Sequence, residues 1–269
     1  MDATLYQING KESKSIRLPA VFSGKCRIDL LRRALLAEQS RRYQPQAHAL
    51  LAGLQTTATY VGRYDASWRR GRHMGTAIRP RQMLGGGAQG DVRRIPSSTK
   101  GRRAHPHKLE KRLEERINRK EYLKAIESAI AGCADVKLVN EYRRFNAKAL
   151  PLVIEDRIET VAKTKELIGI LSALGLESDL ERSHDPSKRK GKRRLSRQRR
   201  FRKSVLIVVK DDNKVGKAGR NIPGVDVCSI SSLTIEKLAP GAEPRITVWS
   251  EGAVNGVENE IKSAGKMVE

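Results

Sequence analysis

The side chains best suited to chemistry in this sequence are arginines, gathered between residues 67 and 107. Nine arginines and one lysine lie there against a single acid, Asp91, and seven glycines interrupt any helical or strand periodicity. A guanidinium presents a planar fork of N–H donors that fits phosphate oxygens in pairs. The apolar residues are too scattered to bury a face. The segment therefore predicts an extended loop that only a polyanion neutralises over its whole length.

A second basic run occupies residues 188–203, where eleven of sixteen residues are Lys or Arg and none is acidic. The chain of 269 residues carries 54 Lys and Arg against 30 Asp and Glu, a formal net charge of +24. Because the excess is concentrated in two segments, it indicates nucleic-acid binding more than a surface charged for solubility. Neither run has the apolar stripe of an interfacial helix, and no apolar run approaches the roughly 20 residues that span a bilayer, so we expect no membrane partner.

One glycine pattern resembles a cofactor site. Gly85, Gly87 and Gly90 match the G-x-G-x-x-G fingerprint of dinucleotide binding. However, residues 79–83 are polar and contain a proline, and residues 91–96 cannot open a long helix, so the strand and helix that hold a pyrophosphate are not predicted. The glycines fit turns, or a close approach of the backbone to RNA. We expect no cofactor.

Two polar pairs have alternative interpretations. His105 and His107 could bind a metal, but no cluster of acids or cysteines accompanies them, which favours RNA contact or loop packing. Glu155 and Asp156 follow a short apolar strand, where an α/β enzyme keeps catalytic carboxylates. The stronger interpretation is that they are acids at a helix N-terminus, where the helix dipole favours them. We therefore expect neither catalysis nor a bound metal.

The cysteines and the N-terminus indicate the compartment. Cys26, Cys133 and Cys228 are far apart and odd in number, with no C-x-x-C pairing, so we expect reduced thiols in the core. The first ten residues lack the basic region followed by an apolar one that marks a secretory signal. The cytoplasm is the expected compartment.

Three aromatic residues lead into the basic loop at a spacing of four. Tyr60, Tyr64 and Trp68 would form a core stripe on a helix. The chain has only eleven aromatic residues, and these three lie beside Arg63, Arg69 and Arg70. Base stacking with neutralisation of adjacent phosphates accounts better for that clustering.

Outside the basic segments, strand and helix patterns alternate. They predict an α/β fold: a mostly parallel sheet with helices on both faces, plus a long extended basic loop. Expected strands are a hairpin or edge element over residues 5–18 that turns at Asn9-Gly10, then residues 136–139, 152–154, 204–209, 225–228 and 246–249. Expected helices are residues 28–40, 118–132, 158–174, 232–238 and 253–262.

Local signals predict how one helix begins and ends. Asn118 with Glu121 three residues on predicts a capping box, and Gly132 is expected to end that helix. The organisation predicted for the chain is a single α/β domain over residues 1–269. It is interrupted by an RNA-binding loop at about 45–108 and a basic arm at about 184–203.

Short motifs follow one another in a particular order: Leu18-Pro-Ala-Val-Phe22, Arg94-Ile-Pro96, Lys100-Gly-Arg-Arg-Ala-His-Pro106, Ser204-Val-Leu-Ile-Val-Val209, Arg220-Asn-Ile-Pro-Gly-Val-Asp-Val227, Leu238-Ala-Pro-Gly241 and Thr247-Val-Trp-Ser-Glu251. This order resembles the L-four family of universal large-subunit ribosomal proteins, in its archaeal and eukaryotic form, over essentially the whole chain. One departure is His107, where the family has proline. The resemblance implies an α/β body on the solvent side of the large subunit and an extended loop, buried in ribosomal RNA, that reaches the polypeptide exit tunnel.

We therefore predict a structural, non-enzymatic constituent of the large ribosomal subunit. Its expected partners are large-subunit ribosomal RNA, neighbouring ribosomal proteins and the nascent polypeptide. The loop tip is expected near residues 64–82, with residues 93–108 as the returning limb, and Tyr64, Trp68 and Met83 are predicted to line the tunnel. The predicted RNA-binding residues are Arg63, Trp68, Arg69, Arg70, Arg72, Arg79, Arg81, Arg93, Arg94, Lys100, Arg102, Arg103, His105, Lys108, Arg189, Lys190, Lys192, Arg193, Arg194, Arg197, Arg199, Arg200 and Arg202.

Two other functions fit the same composition. An RNA-modifying enzyme with an α/β catalytic domain and basic RNA-binding arms would have a ligand pocket at the carboxyl ends of its parallel strands. A free RNA chaperone or repressor would be found outside ribosomes.

Overall fold

The computed structural model describes residues 1–60, 79–147, 149–185, 187–188, 199–211 and 214–264. The chain divides into two compact units, Met1–Arg42 with Glu114–Glu269, and Tyr43–Leu113. We call the first unit the body and the second the basic unit.

Strands and helices are numbered here in chain order. The strands are β1 (Asp2–Tyr6), β2 (Glu12–Arg17), β3 (Ala58–Tyr60), β4 (Pro80–Met83), β5 (Gln89–Val92), β6 (Leu152–Ile154), β7 (Ser187–Lys188), β8 (Arg199–Arg200), β9 (Leu206–Val209), β10 (Asp226–Ser229) and β11 (Thr247–Ser250). The α-helices are α1 (Ile28–Ser40), α2 (Arg119–Ala134), α3 (Val136–Tyr142), α4 (Thr164–Ala173), α5 (Glu177–His184), α6 (Val215–Gly219), α7 (Ile235–Leu238) and α8 (Glu251–Ala264).

The body contains a six-stranded sheet in the order β10-β9-β11-β6-β1-β2. Every neighbouring pair is parallel except β1 and β2, which form an antiparallel hairpin at one edge. The hairpin turns where the Asn9-Gly10 signal predicts it, with Gly10 at a φ of 76°. The predicted α/β architecture with a mostly parallel sheet is confirmed.

Helices cover both faces of this sheet, and the apolar sequence of the inner strand β9 shows why. Leu206 and Val208 point into one hydrophobic cluster, which also receives α1, α2, α7 and α8. Ile207 and Val209 point into a second cluster with α3, α4 and α6. Successive side chains of a strand alternate between faces, so a continuous apolar run requires cover on both sides.

Three of the predicted elements differ in the structure. Residues 136–139 form the start of α3 because the Asp135 carboxylate accepts a hydrogen bond from the Lys137 N–H at 2.9 Å, which caps a helix. The predicted helix 158–174 is a 3-10 helix, Asp156–Thr160, followed by α4, with extended backbone between them. The predicted helix 232–238 likewise splits into a 3-10 turn, Ile230–Ser232, and α7.

The helix α2 begins and ends differently from its sequence signals. Asn118 makes no side-chain capping bond, and the Glu121 side chain pairs with Arg33 of α1 at 3.1 Å. Gly132 lies inside the helix, two residues before its end. A Cβ on Gly132 would lie 2.6 Å from the Cys26 sulfur, so this glycine permits close packing and does not terminate the helix.

No helix within the described ranges combines the length and the apolar character needed to cross a membrane.

Candidate nucleic-acid interface

The predicted interface residues divide into three groups. Twelve lie outside the described residues: Arg63, Tyr64, Trp68, Arg69, Arg70, Arg72, Arg189, Lys190, Lys192, Arg193, Arg194 and Arg197. The basic unit contains ten: Arg79, Arg81, Met83, Arg93, Arg94, Lys100, Arg102, Arg103, His105 and Lys108. The body contains Arg202 and the β8 residues Arg199 and Arg200, of which only the backbone is described.

The basic unit is organised by a three-stranded antiparallel sheet in the order β3-β4-β5. Tyr60 pairs with Pro80, and Ala58 pairs with Gln82. Residues 61–79 therefore form the connection between β3 and β4, and residues 80–82 belong to the strand that returns from it. The tip expected over residues 64–82 is accordingly too long at its C-terminal end.

This sheet has almost no core beneath it. Among the described residues of the basic unit, Ala58 is the single buried side chain. The sequence of the same unit has fourteen Lys and Arg against three acids. Backbone hydrogen bonds hold the strands, but burial of apolar surface contributes little to holding the unit together.

The glycine pattern occurs between two strands. Our expectation that no strand precedes it is wrong, because Pro80–Met83 form β4. Proline is tolerated there as the first residue of the strand. A strand, β5, follows the glycines where a dinucleotide site requires a helix. The pattern thus belongs to a turn between antiparallel strands, in which Gly86 has a φ of 72°.

Two predicted RNA-binding arginines also form contacts within the unit. Arg93 donates from Nη1 to the Thr99 carbonyl at 3.0 Å and pairs through Nη2 with Asp91 at 3.3 Å. Arg94 has a φ of 69° and donates to the Thr56 carbonyl at 3.2 Å. These guanidiniums tie the segment after β5 to the rest of the basic unit.

Other predicted cations are free to bind phosphate. Arg79, Lys100, Arg102, Arg103 and Lys108 are exposed, and none forms an ion pair or side-chain hydrogen bond with another described residue. His105 and His107 are exposed as well. Within the described ranges, no three His, Cys, Asp or Glu side chains lie close enough together to hold a metal ion.

Among the aromatic and tunnel candidates, Tyr60 and Met83 belong to the described residues. Tyr60 lies in β3 with 61% of its surface exposed, so the helical spacing of the aromatic series does not produce a core stripe at this residue. Met83 is exposed at the C-terminal end of β4, whereas the 61–79 connection enters that strand at Pro80. Met83 and the connection therefore lie at opposite ends of β4.

In the body, the basic arm begins and ends in a short ladder. Ser187 of β7 pairs with Arg200 of β8, and Lys188 pairs with Arg199, in antiparallel register. The two limbs of the arm therefore leave the body side by side.

A buried polar network holds the C-terminal limb of the arm. The carbonyl of Lys203 accepts hydrogen bonds from Arg143 at 3.0 Å and from Arg182 at 3.3 Å. The buried Asp179 carboxylate accepts from Arg182 at 2.8 Å and from the Ser204 hydroxyl at 2.5 Å. Hydrogen bonds to charged groups are the stronger ones, so this network fixes where the arm leaves the body.

The Lys203 side chain joins a second ionic group. Its Nζ lies 2.7 Å from one Asp226 oxygen, and the fully buried Arg245 lies 2.8 Å from the other. Burial alone would raise the pKa of Asp226, but the two cations outweigh it and lower that pKa. Burial lowers the pKa of Arg245, and Asp226 opposes this effect. Asp226 is therefore the charge that makes a buried arginine tolerable.

Gly224 allows the C-terminal limb of the arm and the helix α5 to approach its backbone closely. Its φ is 78°, and a Cβ there would lie 2.3 Å from the Arg202 carbonyl oxygen and 2.7 Å from the Ser183 Cβ. Only glycine fits such a position without displacing backbone.

The carboxyl ends of the parallel strands, where an enzyme would bind its ligand, carry carboxylates with structural partners. Asp156 accepts from the Gly252 N–H at 2.7 Å, in the first turn of α8. Glu159 accepts from the Lys210 N–H at 2.8 Å and from the Ser250 hydroxyl at 3.0 Å. Asp156 thus lies in the first turn of its own 3-10 helix, as predicted, and also binds the N-terminus of α8, a helix from a distant part of the chain.

Sequence reasoning missed the residues that secure the arm. Asp226 and Arg245 had one available signal, since each stands beside apolar strand residues where an unpaired charge would be costly. Arg143, Asp179 and Arg182 carry no such signal, because they lie in polar surroundings in the sequence.

Comparison with known proteins adds to this geometry. Residues 16–260 match the ribosomal protein L4/L1 family. The chain is also similar to archaeal proteins named large ribosomal subunit protein uL4. The protein of Methanocaldococcus jannaschii is 38% identical over 266 residues, covering 97% of this chain and 100% of the relative. Those of Methanoculleus marisnigri and Archaeoglobus fulgidus are 41% and 38% identical, over 96% and 94% of this chain and 99% and 97% of the relatives.

Proposed function

Because the chain belongs to the ribosomal protein L4/L1 family, we propose that it is a structural constituent of the large ribosomal subunit that binds large-subunit ribosomal RNA. The observation that carries this proposal is a basic unit that has a sheet but almost no core. A segment that cannot bury apolar surface needs a partner to hold its conformation. RNA phosphates meet that need here, because the unit carries many cations.

The free cations of the basic unit and the arm provide the contacts. Arg102 and Arg103 are exposed and unpaired among the described residues, so they bind phosphate without first breaking an internal ion pair. Arg93 and Arg94 contribute indirectly to RNA binding, because their hydrogen bonds hold the segment of the basic unit that follows β5. Such contacts recognise the shape and backbone of folded RNA more than its sequence.

The connection between β3 and β4 is the part of the loop we assign to the exit tunnel. Its length, and the return of the chain along β4, support a tip within residues 61–79. Tyr64 and Trp68 fall within that range and are the proposed contacts with the nascent polypeptide. Met83 is a weaker candidate, since it lies at the far end of β4 from this connection.

The arm is proposed to anchor the body on RNA. The hydrogen bonds to the Lys203 carbonyl fix the point where the arm leaves the body, so the cations of the arm bind phosphate from a defined position. Neighbouring large-subunit proteins are the other expected partners, and the ribosome in the cytoplasm is the proposed location.

An RNA-modifying enzyme is less well supported. Asp156 and Glu159 are engaged with backbone N–H groups at the strand ends, where such an enzyme would need catalytic carboxylates. No feature of the described residues favours that alternative over the structural role.

Sedimentation tests the structural role directly. Cell extract is washed in high salt and separated on a gradient, and the chain is quantified by mass spectrometry against other large-subunit proteins. We expect it to remain with large subunits at one copy each. Recovery of the chain mainly in the ribosome-free fractions, or at far less than one copy, would contradict the proposal and favour a free RNA chaperone or an enzyme.

A further inference from the structure

The basic unit contains a half-open pocket of about 630 Å³ that none of the contacts above uses. Its walls are residues 47–54 and 102–110, two segments distant in the sequence. Their backbones touch directly, since a Cβ on Gly53 would lie 2.7 Å from the Arg102 Cα. Gly53, with a φ of 77°, therefore brings the two walls together.

The lining combines apolar surface with a cationic rim. Leu50 and Leu109, with 92% and 63% of their surfaces exposed, offer apolar area that a ligand would remove from water. Arg102, Arg103 and Lys108 border the same pocket, against a single acid, Glu110. A ligand with a flat apolar body and a negatively charged backbone matches both features. A basic peptide does not, because the rim would repel it.

The planar side chains of the lining favour a nucleobase. The imidazoles of His48 and His107 and the Arg102 and Arg103 guanidiniums are planar groups on which a base can stack.

We infer that this pocket receives one unstacked base of large-subunit ribosomal RNA. The rim cations contact the flanking phosphates, and the base stacks on the planar side chains of the lining. This inference rests on the proposed function, since it names a subsite for the same RNA. The pocket adds what phosphate contacts alone lack: a single nucleotide that sets the register of the basic unit on its RNA.

Chemical probing of complexes between the full chain and protein-free large-subunit RNA tests the inference. Dimethyl sulfate, kethoxal and a carbodiimide together report the base-pairing edges of all four nucleotides. Ala104→Trp fills the pocket and leaves the rim cations in place. Ala88→Trp is the matched control, because Ala88 is equally exposed, belongs to the same unit and does not line the pocket.

We expect one unpaired nucleotide to be protected by the wild type and by Ala88→Trp but reactive with Ala104→Trp. Losing a stacked base should weaken RNA binding by about fivefold or more. The salt dependence should stay unchanged, because no phosphate contact is removed. A second variant, His48→Ala, removes one stacking ring of the lining and should expose the same nucleotide, so the test does not depend on Ala104→Trp folding.

Three results would count against the inference. Wild-type footprints and affinity in both Ala104→Trp and His48→Ala would overturn it. Normal RNA binding by Ala104→Trp combined with its exclusion from assembled subunits would instead assign the pocket to a protein neighbour. A wild-type chain that fails to bind large-subunit RNA at all would refute the proposed function itself, which is a distinct outcome.

Discussion

The Tyr122 hydroxyl of α2 donates a hydrogen bond to the Glu38 carboxylate of α1 at 2.6 Å. The same carboxylate accepts the N–H groups of Ile235 and Glu236 at 3.0 and 2.9 Å, at the start of α7. Burial raises the pKa of Tyr122 above its ordinary value, and the nearby charge of Glu38 raises it further. One carboxylate thus joins three helices on the same face of the sheet.

Tyr122→Phe removes one of these bonds and leaves the backbone contacts of Glu38 intact. Because the acceptor is charged and partly buried, the free energy of unfolding should fall by about 1 to 2 kcal/mol. Urea unfolding measures the change. Tyr43→Phe, at an exposed tyrosine, is the matched control and should leave stability unaltered. Equal losses in both variants would show that the bond to Glu38 is not stabilising.

The buried thiol of Cys133 predicts a loss of stability at high pH. Burial raises its pKa to about 12, from an ordinary value of 9.0. The unfolded chain releases this proton first, so the stabilisation is complete below pH 9 and is lost as the pH rises toward 12.

The contribution of the Cys133 thiol to the free energy of unfolding should fall by at most about 1.4 kcal/mol per pH unit in that window. Cys133→Ala should flatten the fall, measured by urea unfolding between pH 8 and roughly pH 10.5 with a reducing agent present. Cys26→Ala, at a half-buried thiol, keeps the contribution of Cys133. An identical slope in wild type and Cys133→Ala would contradict this assignment.

Asp226→Asn should destabilise the body strongly. It leaves the fully buried Arg245 without its counter-charge, which costs about 3 to 5 kcal/mol for a buried pair. The pKa of Asp226 is lowered in the folded chain, so the wild type should lose this stabilisation as the pH falls below the ordinary value of 3.8.

Asp29→Asn is the matched control, since Asp29 pairs with Arg27 at an exposed position. It should leave thermal and urea unfolding unchanged. If Asp226→Asn were as stable as Asp29→Asn, the ionic group at the base of the arm would have no structural role.

The cations of the arm should be visible in the salt dependence of RNA binding. Contacts with six phosphates give a slope of roughly −4 to −5 in log affinity against log salt, at about 0.7 to 0.9 per contact. Replacing Arg193, Arg194, Arg199 and Arg200 by Gln should flatten the slope by about 3. The control variant replaces four exposed lysines of the body by Gln and so loses the same amount of charge. These lysines are Lys11, Lys14, Lys163 and Lys165. Weaker binding with an unchanged slope would show that the arm is not a phosphate clamp.

Shortening the tip should separate assembly from tunnel function. A deletion within residues 64–78 keeps the pairing of Tyr60 with Pro80, and with it the sheet of the basic unit. Incorporation into subunits should persist, because the cations of the arm and of residues 93–103 remain. Stalling on a tunnel-sensitive leader peptide should change instead. Neutralising the arm should have the reverse effects, and a tip deletion that abolished assembly while the arm variant assembled normally would overturn this division.

Several elements follow directly from local sequence. The helix α1 has the predicted bounds because Ile28, Leu31 and Leu35 recur at helical spacing. The hairpin turns at Gly10 because a positive φ costs glycine little. The strand β9 is buried on both faces, as its continuous apolar run indicates.

Other elements depend on contacts that no local pattern contains. Gly132 carries the signal of a helix end, but its role is to let α2 pack against Cys26. The sequence predicts one helix over residues 158–174, yet Glu159 is held by Lys210 and Ser250, and the helix is interrupted after it.

The sequence by itself determined the kind of partner, because net charge and its concentration in two segments are properties of composition that folding does not change. Only the tertiary structure decided which cations are available to that partner. The sequence does not distinguish Arg93 from Arg102, since both are arginines in the same basic loop. In the structure, Arg93 bonds Thr99 and Asp91, whereas Arg102 is exposed beside an apolar pocket. The physical reason is that a hydrogen bond depends on distance and direction in space, and the chain sets these only when it folds.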